Sequence, residues 1–196
     1  HVRSRRQRQM CIRDRYNKDF VASKAYEQYS TSKTPSKKAV LLTCMDTRLQ
    51  DLSTKALGFT NGDLKVVKNA GATISHPYGS TMRSLLVGIY ALGAEEIIIM
   101  GHKDCGMGNI DVDAVMNTME QRGVDQKTFD ILEHSGIDVP NFLKGFDDVY
   151  ENVKKNIQMI YSHPLFDKKV PVHGLVIDPH TGALDLVHDG YGKNSI

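Results

Sequence analysis

Apolar residues fall in two rhythms along this chain. Short, β-branched runs, too brief for helices, mark strands at 38–43, 64–68, 96–100, 170–178 and 183–187. Between them, apolar positions recur at three- and four-residue spacing and predict helices at 17–32, 48–57, 80–92, 111–121, 126–133 and 142–161. The clearest is 80–92, where Met82, Leu85, Leu86, Ile89 and Tyr90 share a face and Gly93 ends the pattern. Asn61-Gly62-Asp63 and Pro179-His180-Thr181-Gly182 read as turns, and the segment 69–79, NAGATISHPYG, as a loop of small residues. Strands alternating with helices predict an α/β fold, a mostly parallel central sheet flanked by helices. Sheets of that kind bind ligands beyond the carboxyl ends of their strands.

Two of those carboxyl ends carry the chemistry. Segment 39–48 reads AVLLTCMDTR, and segment 95–108 reads EEIIIMGHKDCGMG. Cys44 closes one strand; His102 and Cys105 follow the other, with 57 residues between Cys44 and His102. A lone H-x-x-C is a weak signal. If the two strands are neighbours, however, the three residues meet as a Cys₂His set, the donor set of a catalytic zinc site whose fourth position stays open. Asp46, two residues past Cys44, then has two options. It either ligates the metal itself, or pairs with Arg48 and accepts a hydrogen bond from a metal-bound water. Arg48 suits the second role, because its planar fork holds a carboxylate bidentately and keeps its charge. Asp104 either orients a ligand or caps a helix. Gly106 and Gly108 let backbone N–H groups approach the metal-bound species or the thiolates. Asn69-Ala70-Gly71 is either a pocket wall or a plain turn. His76 is either a proton carrier at the pocket mouth or simply exposed. His163, His173, His180 and His188 have no metal-like neighbours in sequence and receive no role. The glycines match neither the dinucleotide-binding nor the P-loop spacing, which argues against a nucleotide site.

Charge changes the picture only at the amino terminus. The formal net charge is +2, yet residues 1–15 hold six Arg and one Asp, leaving −3 over the other 181 residues. We read 1–15 as a basic tail foreign to the fold or disordered, and 16–196 as a single domain. Three cysteines, one of them Cys11 in that tail, make no disulfide framework. Thiols kept at strand ends fit a reducing, cytoplasmic setting. No apolar run approaches the ~20 residues of a membrane span, and no signal-peptide core follows the amino terminus. Neither a membrane nor a nucleic-acid partner is expected.

C-x-D-x-R at Cys44, Asp46 and Arg48, N-A-G at 69–71 and G-H-x-x-C-G at 101–106 together resemble the β-class carbonic anhydrases, in their short, compact branch. The resemblance spans roughly residues 16–190. It implies an N-terminal helix that packs on a partner subunit, in a homodimer or a multiple of dimers. It implies one Zn²⁺ per subunit, held by Cys44, His102 and Cys105. It also implies reversible hydration of carbon dioxide to bicarbonate by zinc-bound hydroxide. Asp46 and Arg48 would gate the fourth position, with Asp46 on zinc in a closed state and turned to Arg48 in an open one. Relatives with nearly the same donors hydrolyse carbonyl sulfide or carbon disulfide, and a non-catalytic zinc-binding paralogue is a third reading.

Overall fold

The structure, a computed structural model, describes residues 5–192, with side chains from residue 13 onward. It divides into two units, residues 1–33 and residues 34–196. In the smaller unit, helix α1 (Arg5–Ala22) is followed by a 3₁₀ turn at Ala25–Tyr29. The helix expected at 17–32 thus lies earlier and stops sooner. Lys24 explains the stop: its φ of 56° is left-handed, and an α-helix cannot run through it. Phe20 packs on Tyr16 and Tyr29, with ring centroids 6.4 and 6.3 Å apart. Of the expected tail, residues 1–4 and the Cys11 thiol lie outside what is described, and the α1 backbone runs through the expected boundary at residue 15.

The larger unit is a five-stranded sheet in the order β2-β1-β3-β4-β5. The strands are β1 (Ala39–Cys44), β2 (Leu64–Asn69), β3 (Glu96–His102), β4 (Val172–Ile177) and β5 (Leu184–His188). The first four are mutually parallel and β5 is an antiparallel edge. Every residue of β1 is buried, as is β3 after Glu96. That continuous burial is why these strands read as unbroken apolar runs rather than alternating ones. Residues on one face, Val40, Leu42, Ile97 and Ile99, pack against Met82 and Leu85 of α3 (Ser80–Ala91) and Val153, Ile157 and Ile160 of α7 (Val149–Ser162). On the other face Leu41, Ile98 and Met100 meet Leu49 of α2 (Leu49–Lys55). Gly101 lets α7 lie close to β3, since a Cβ there would come within 2.6 Å of Val149 Cγ2. Among the described residues no helix is long and apolar enough to cross a membrane.

Three short helices, α4 (Val112–Gln121), α5 (Gln126–His134) and α6 (Val139–Leu143), follow β3. Asp111, Asp125 and Asp138 cap them, each accepting a backbone N–H from the first turn. The single helix expected at 142–161 is therefore two, α6 and α7, with 144–148 non-helical between them. Phe146 breaks it. Its N–H donates to the Met107 carbonyl (3.1 Å), its own carbonyl accepts from Asn109 N–H (3.1 Å), and Asp148 then caps α7 through Glu151 N–H.

Candidate metal centre

The register of β1 on β3 places Thr43 beside Met100. Cys44 at the end of β1 and His102 at the end of β3 consequently emerge at the same edge of the sheet, and the turn after His102 returns Cys105 to them. The Sγ atoms of Cys44 and Cys105 and a ring nitrogen of His102 all lie within 4.8 Å of one another. His102 is 1% exposed and Cys44 4%.

Each donor is held by backbone. His102 Nδ1 lies 2.8 Å from the Lys103 carbonyl oxygen, which can only accept, so Nδ1 carries the hydrogen and Nε2 offers a lone pair. That buried Nε2 has no hydrogen-bond partner, as is true of His163 and His173, but among the described residues only at His102 do two cysteine sulfurs stand beside it. Gly71 N–H donates to Cys44 Sγ at 3.4 Å. The two sulfurs are 3.9 Å apart and share a hydrogen bond. That bond pulls the Cys44 thiol down to about 4, aided by His102 and the Asp46 and Gly71 N–H groups and opposed by burial. The same bond, with burial, pushes Cys105 up, against the N–H groups of Met107 and Gly108. Burial works against a charged His102, but the adjacent Cys44 sulfur, with the Lys103 carbonyl and Asp46, outweighs it and the net shift is upward. A cation takes the place of exactly such shared protons when it binds thiolate and imidazole. Two sulfurs and one bare imidazole nitrogen at this spacing suit a soft-to-borderline divalent ion.

Asp46 stands beside this set and outside it. Its Oδ2 is 3.8 Å from His102 Nε2, but its carboxylate is claimed by Arg48. Arg48 Nε donates to Oδ1 at 3.0 Å, Nη2 to Oδ2 at 2.8 Å, and the Arg48 backbone N–H to Oδ1 at 2.8 Å. The Arg48 side-chain hydrogen bond is the main reason the Asp46 carboxyl is held down at about 2. Arg48 also spans to the other loop: Nη1 donates to Asp104 Oδ2 and Nη2 to the Asp104 carbonyl, both at 2.8 Å. Asp104, at φ 53°, caps no helix among the described residues; it anchors the arginine.

The other expected positions fall on both sides. Gly108 N–H bonds the Cys105 carbonyl at 2.8 Å and acts on its thiol as well, while a Cβ at Gly106 would face open space. Gly71 is part of the centre's wall: φ is 75°, and a Cβ would lie 2.9 Å from Phe146 Cε1 and 3.1 Å from Met107 Cβ. His76 accepts the Tyr78 N–H at Nδ1 and touches none of the three donors. The sequence reading missed Phe146, and it missed Asn152 and Asn156, which reach from α7 to the loop carrying Gly71. A signal for the asparagines existed. They sit four residues apart on the helix face that also bears Val153, Ile157 and Ile160, and an amide on a buried face needs a partner.

The model of the carbonic anhydrase family matches residues 39–184, a span that contains all five of Cys44, Asp46, Arg48, His102 and Cys105. The chain belongs to the β-carbonic anhydrase family. Among curated relatives, the Bacillus subtilis protein named "Putative carbonic anhydrase YvdA" is 52% identical over 90% of this chain and 89% of its own. The carbon disulfide hydrolase of Acidithiobacillus thiooxidans is 25% identical over 94% of each. Among solved structures, a β-carbonic anhydrase of Trichomonas vaginalis superposes with a TM-score of 0.84 at 32% identity, over 93% of this chain and 99% of that one.

Proposed function

We infer that this chain binds one zinc ion per subunit through Cys44, His102 and Cys105 and catalyses the reversible hydration of carbon dioxide to bicarbonate and a proton. The observation that carries this reading is the meeting of those three donors, with a bare, buried His102 Nε2, beside a carboxylate held by an arginine. Membership of the family supports it. Zinc, when bound, supplies Lewis acidity that brings the pKa of a water molecule down to about 7.

The chain's own residues do the rest. Two thiolates and a neutral imidazole leave the centre formally neutral, which suits the release of an anionic product. Asp46, kept ionised by Arg48, is an acceptor only, so it takes a hydrogen bond from the reacting water and turns an oxygen lone pair toward the substrate carbon. Arg48 keeps that carboxylate away from the metal. Without the arginine's grip, Asp46 is free to fill the remaining ligand position.

The reading extends to the whole protein. Residues 16–196 form the catalytic domain and 1–15 an appendage dispensable for activity. The working form is a cytoplasmic homodimer, or a multiple of dimers, with α1 reaching the partner subunit. Carbon dioxide and bicarbonate are the only other partners required. Stopped-flow hydration of carbon dioxide by zinc-loaded protein, in mildly alkaline buffer, tests the activity; a rate equal to that of buffer alone rejects it. The near-full-length similarity to a carbon disulfide hydrolase favours one second reading, hydrolysis of carbon disulfide or carbonyl sulfide at the same centre. Sulfide release from those substrates, with no hydration of carbon dioxide, would select it.

A further inference from the structure

The Gly71 N–H that reaches Cys44 belongs to an unfavourable piece of backbone. Gly71 and Ala72 both take positive φ, 75° and 53°, and for alanine that conformation is strained. Three asparagines hold it. Asn69 closes the loop on itself, its Oδ1 accepting from Thr73 N–H at 3.0 Å and its Nδ2 donating to the Thr73 carbonyl at 2.7 Å. The other two come from α7, across some eighty residues of sequence. Asn152 Nδ2 donates to the Gly71 carbonyl at 3.2 Å and to Thr73 Oγ1 at 3.3 Å. Asn156 Oδ1 accepts from Ile74 N–H at 2.7 Å, and its Nδ2 donates to the carbonyls of Ala72 (3.2 Å) and Asn152 (2.8 Å). Both asparagines are buried, 6% and 2% exposed. Every hydrogen bond named here points at the loop or at α7 itself. The Gly71 N–H is the group this arrangement delivers to a metal donor.

We propose that Asn152 and Asn156 are positioning residues for the metal centre: they fix the Gly71 peptide so that its N–H stays on the Cys44 sulfur and limits how much electron density that thiolate gives the cation. The inference rests on the reading of Cys44 as a metal ligand. A hydrogen bond donated to a thiolate stabilises its lone pairs, so the sulfur donates less, and partners of this kind tune both affinity and electronic properties of a bound metal. The amides act only through the peptide. Removing either one frees Gly71 to relax toward an ordinary conformation and turns its N–H away from sulfur.

Three variants of the full chain test this. Asn152→Leu removes an amide at nearly constant volume and adds no charge. Thr73→Val, milder and half-buried, removes the hydroxyl that bridges Gly71 and Asn152 and keeps the test alive if the asparagine variant folds poorly. Ile157→Val, on the same buried face of α7 but with no polar contact to the loop, is the control for lost packing. The probe is Co²⁺ in place of zinc, read by its thiolate-to-metal charge-transfer band, together with zinc affinity by chelator competition. Asn152→Leu and Thr73→Val should move the band to lower energy, and Asn152→Leu should change zinc affinity by about tenfold. Ile157→Val should lower the melting temperature and leave the band in place. Variants that lose stability as Ile157→Val does, with band and affinity unmoved, overturn the positioning role alone. A wild-type cobalt protein with no thiolate band overturns the metal centre, and this inference with it.

Discussion

Two histidines at opposite ends of the sheet each bury their Nε2 and differ in what they can do. His102 ends β3 and is almost fully buried, with Asp46 Oδ2 3.8 Å from its Nε2. His173, near the start of β4, is 15% exposed, and Glu96 Oε2 lies 3.5 Å from its Nε2. Each thus has a carboxylate near a buried Nε2. The decisive contact is on the other nitrogen. His102 faces a carbonyl oxygen at Nδ1, so the hydrogen is there and Nε2 is free to ligate. His173 Nδ1 instead accepts the Gly190 N–H at 3.2 Å, so in the neutral ring the hydrogen sits on Nε2, facing Glu96. Tyr191 closes the second cluster, packing its ring edge-on at 4.7 Å and donating its hydroxyl to the same glutamate. One backbone group per ring separates a bare ring nitrogen from a protonated one, and residue type alone reveals neither.

The comparison can be broken most severely at His102. His102→Ala should abolish zinc binding at stoichiometric metal, and cost activity more than the ~10–100-fold typical of changes outside the ligand set; metal content by emission spectroscopy checks it. Retained zinc would mean the wrong histidine has been chosen. Arg48→Ala comes next. It should lower activity by about a hundredfold or more, as loss of a fixed electrostatic group does, while zinc stays bound; unchanged activity would remove the Asp46–Arg48 pair from the chemistry. Gly71→Ala forces a Cβ against Phe146 at positive φ and should destabilise the fold by about 1–3 kcal/mol in denaturant unfolding, with weaker zinc binding. The smallest effect belongs to the other end of the sheet. His173→Gln should cost about 0.5–1.5 kcal/mol of stability and leave metal content unchanged. Loss of zinc there would contradict the division of labour between the two rings.

Much of this was legible because the chemistry clusters where apolar runs stop. The buried strands announce themselves through Val40–Leu42 and Ile97–Met100, and Cys44, Asp46, Arg48, His102 and Cys105 all fall within a few residues of their ends. A parallel pairing then suffices to bring three donors together. What escaped depends on contacts remote in sequence. The helix expected at 142–161 is interrupted because Phe146 bonds Met107 across some forty residues, although Gly145 and the Asp148–Glu151 cap were hints. The left-handed Lys24 that stops α1 carries no warning in its residue type. Asp104 read as a cap or a ligand's companion, and only the fold shows it gripping Arg48.

Two of the three donors of this centre, Cys44 and His102, end hydrogen-bonded strands from the middle of the sheet, β1 and β3, and Cys105 follows in the turn after β3. Their geometry is therefore set by strands buried along nearly their whole length, the kind of segment that opens least readily, rather than assembled by the ion. In a zinc finger, chelation unfolds the domain. Here stripping the metal should leave amide protection along both strands nearly intact, and the ion should return to a cradle that never lost its shape.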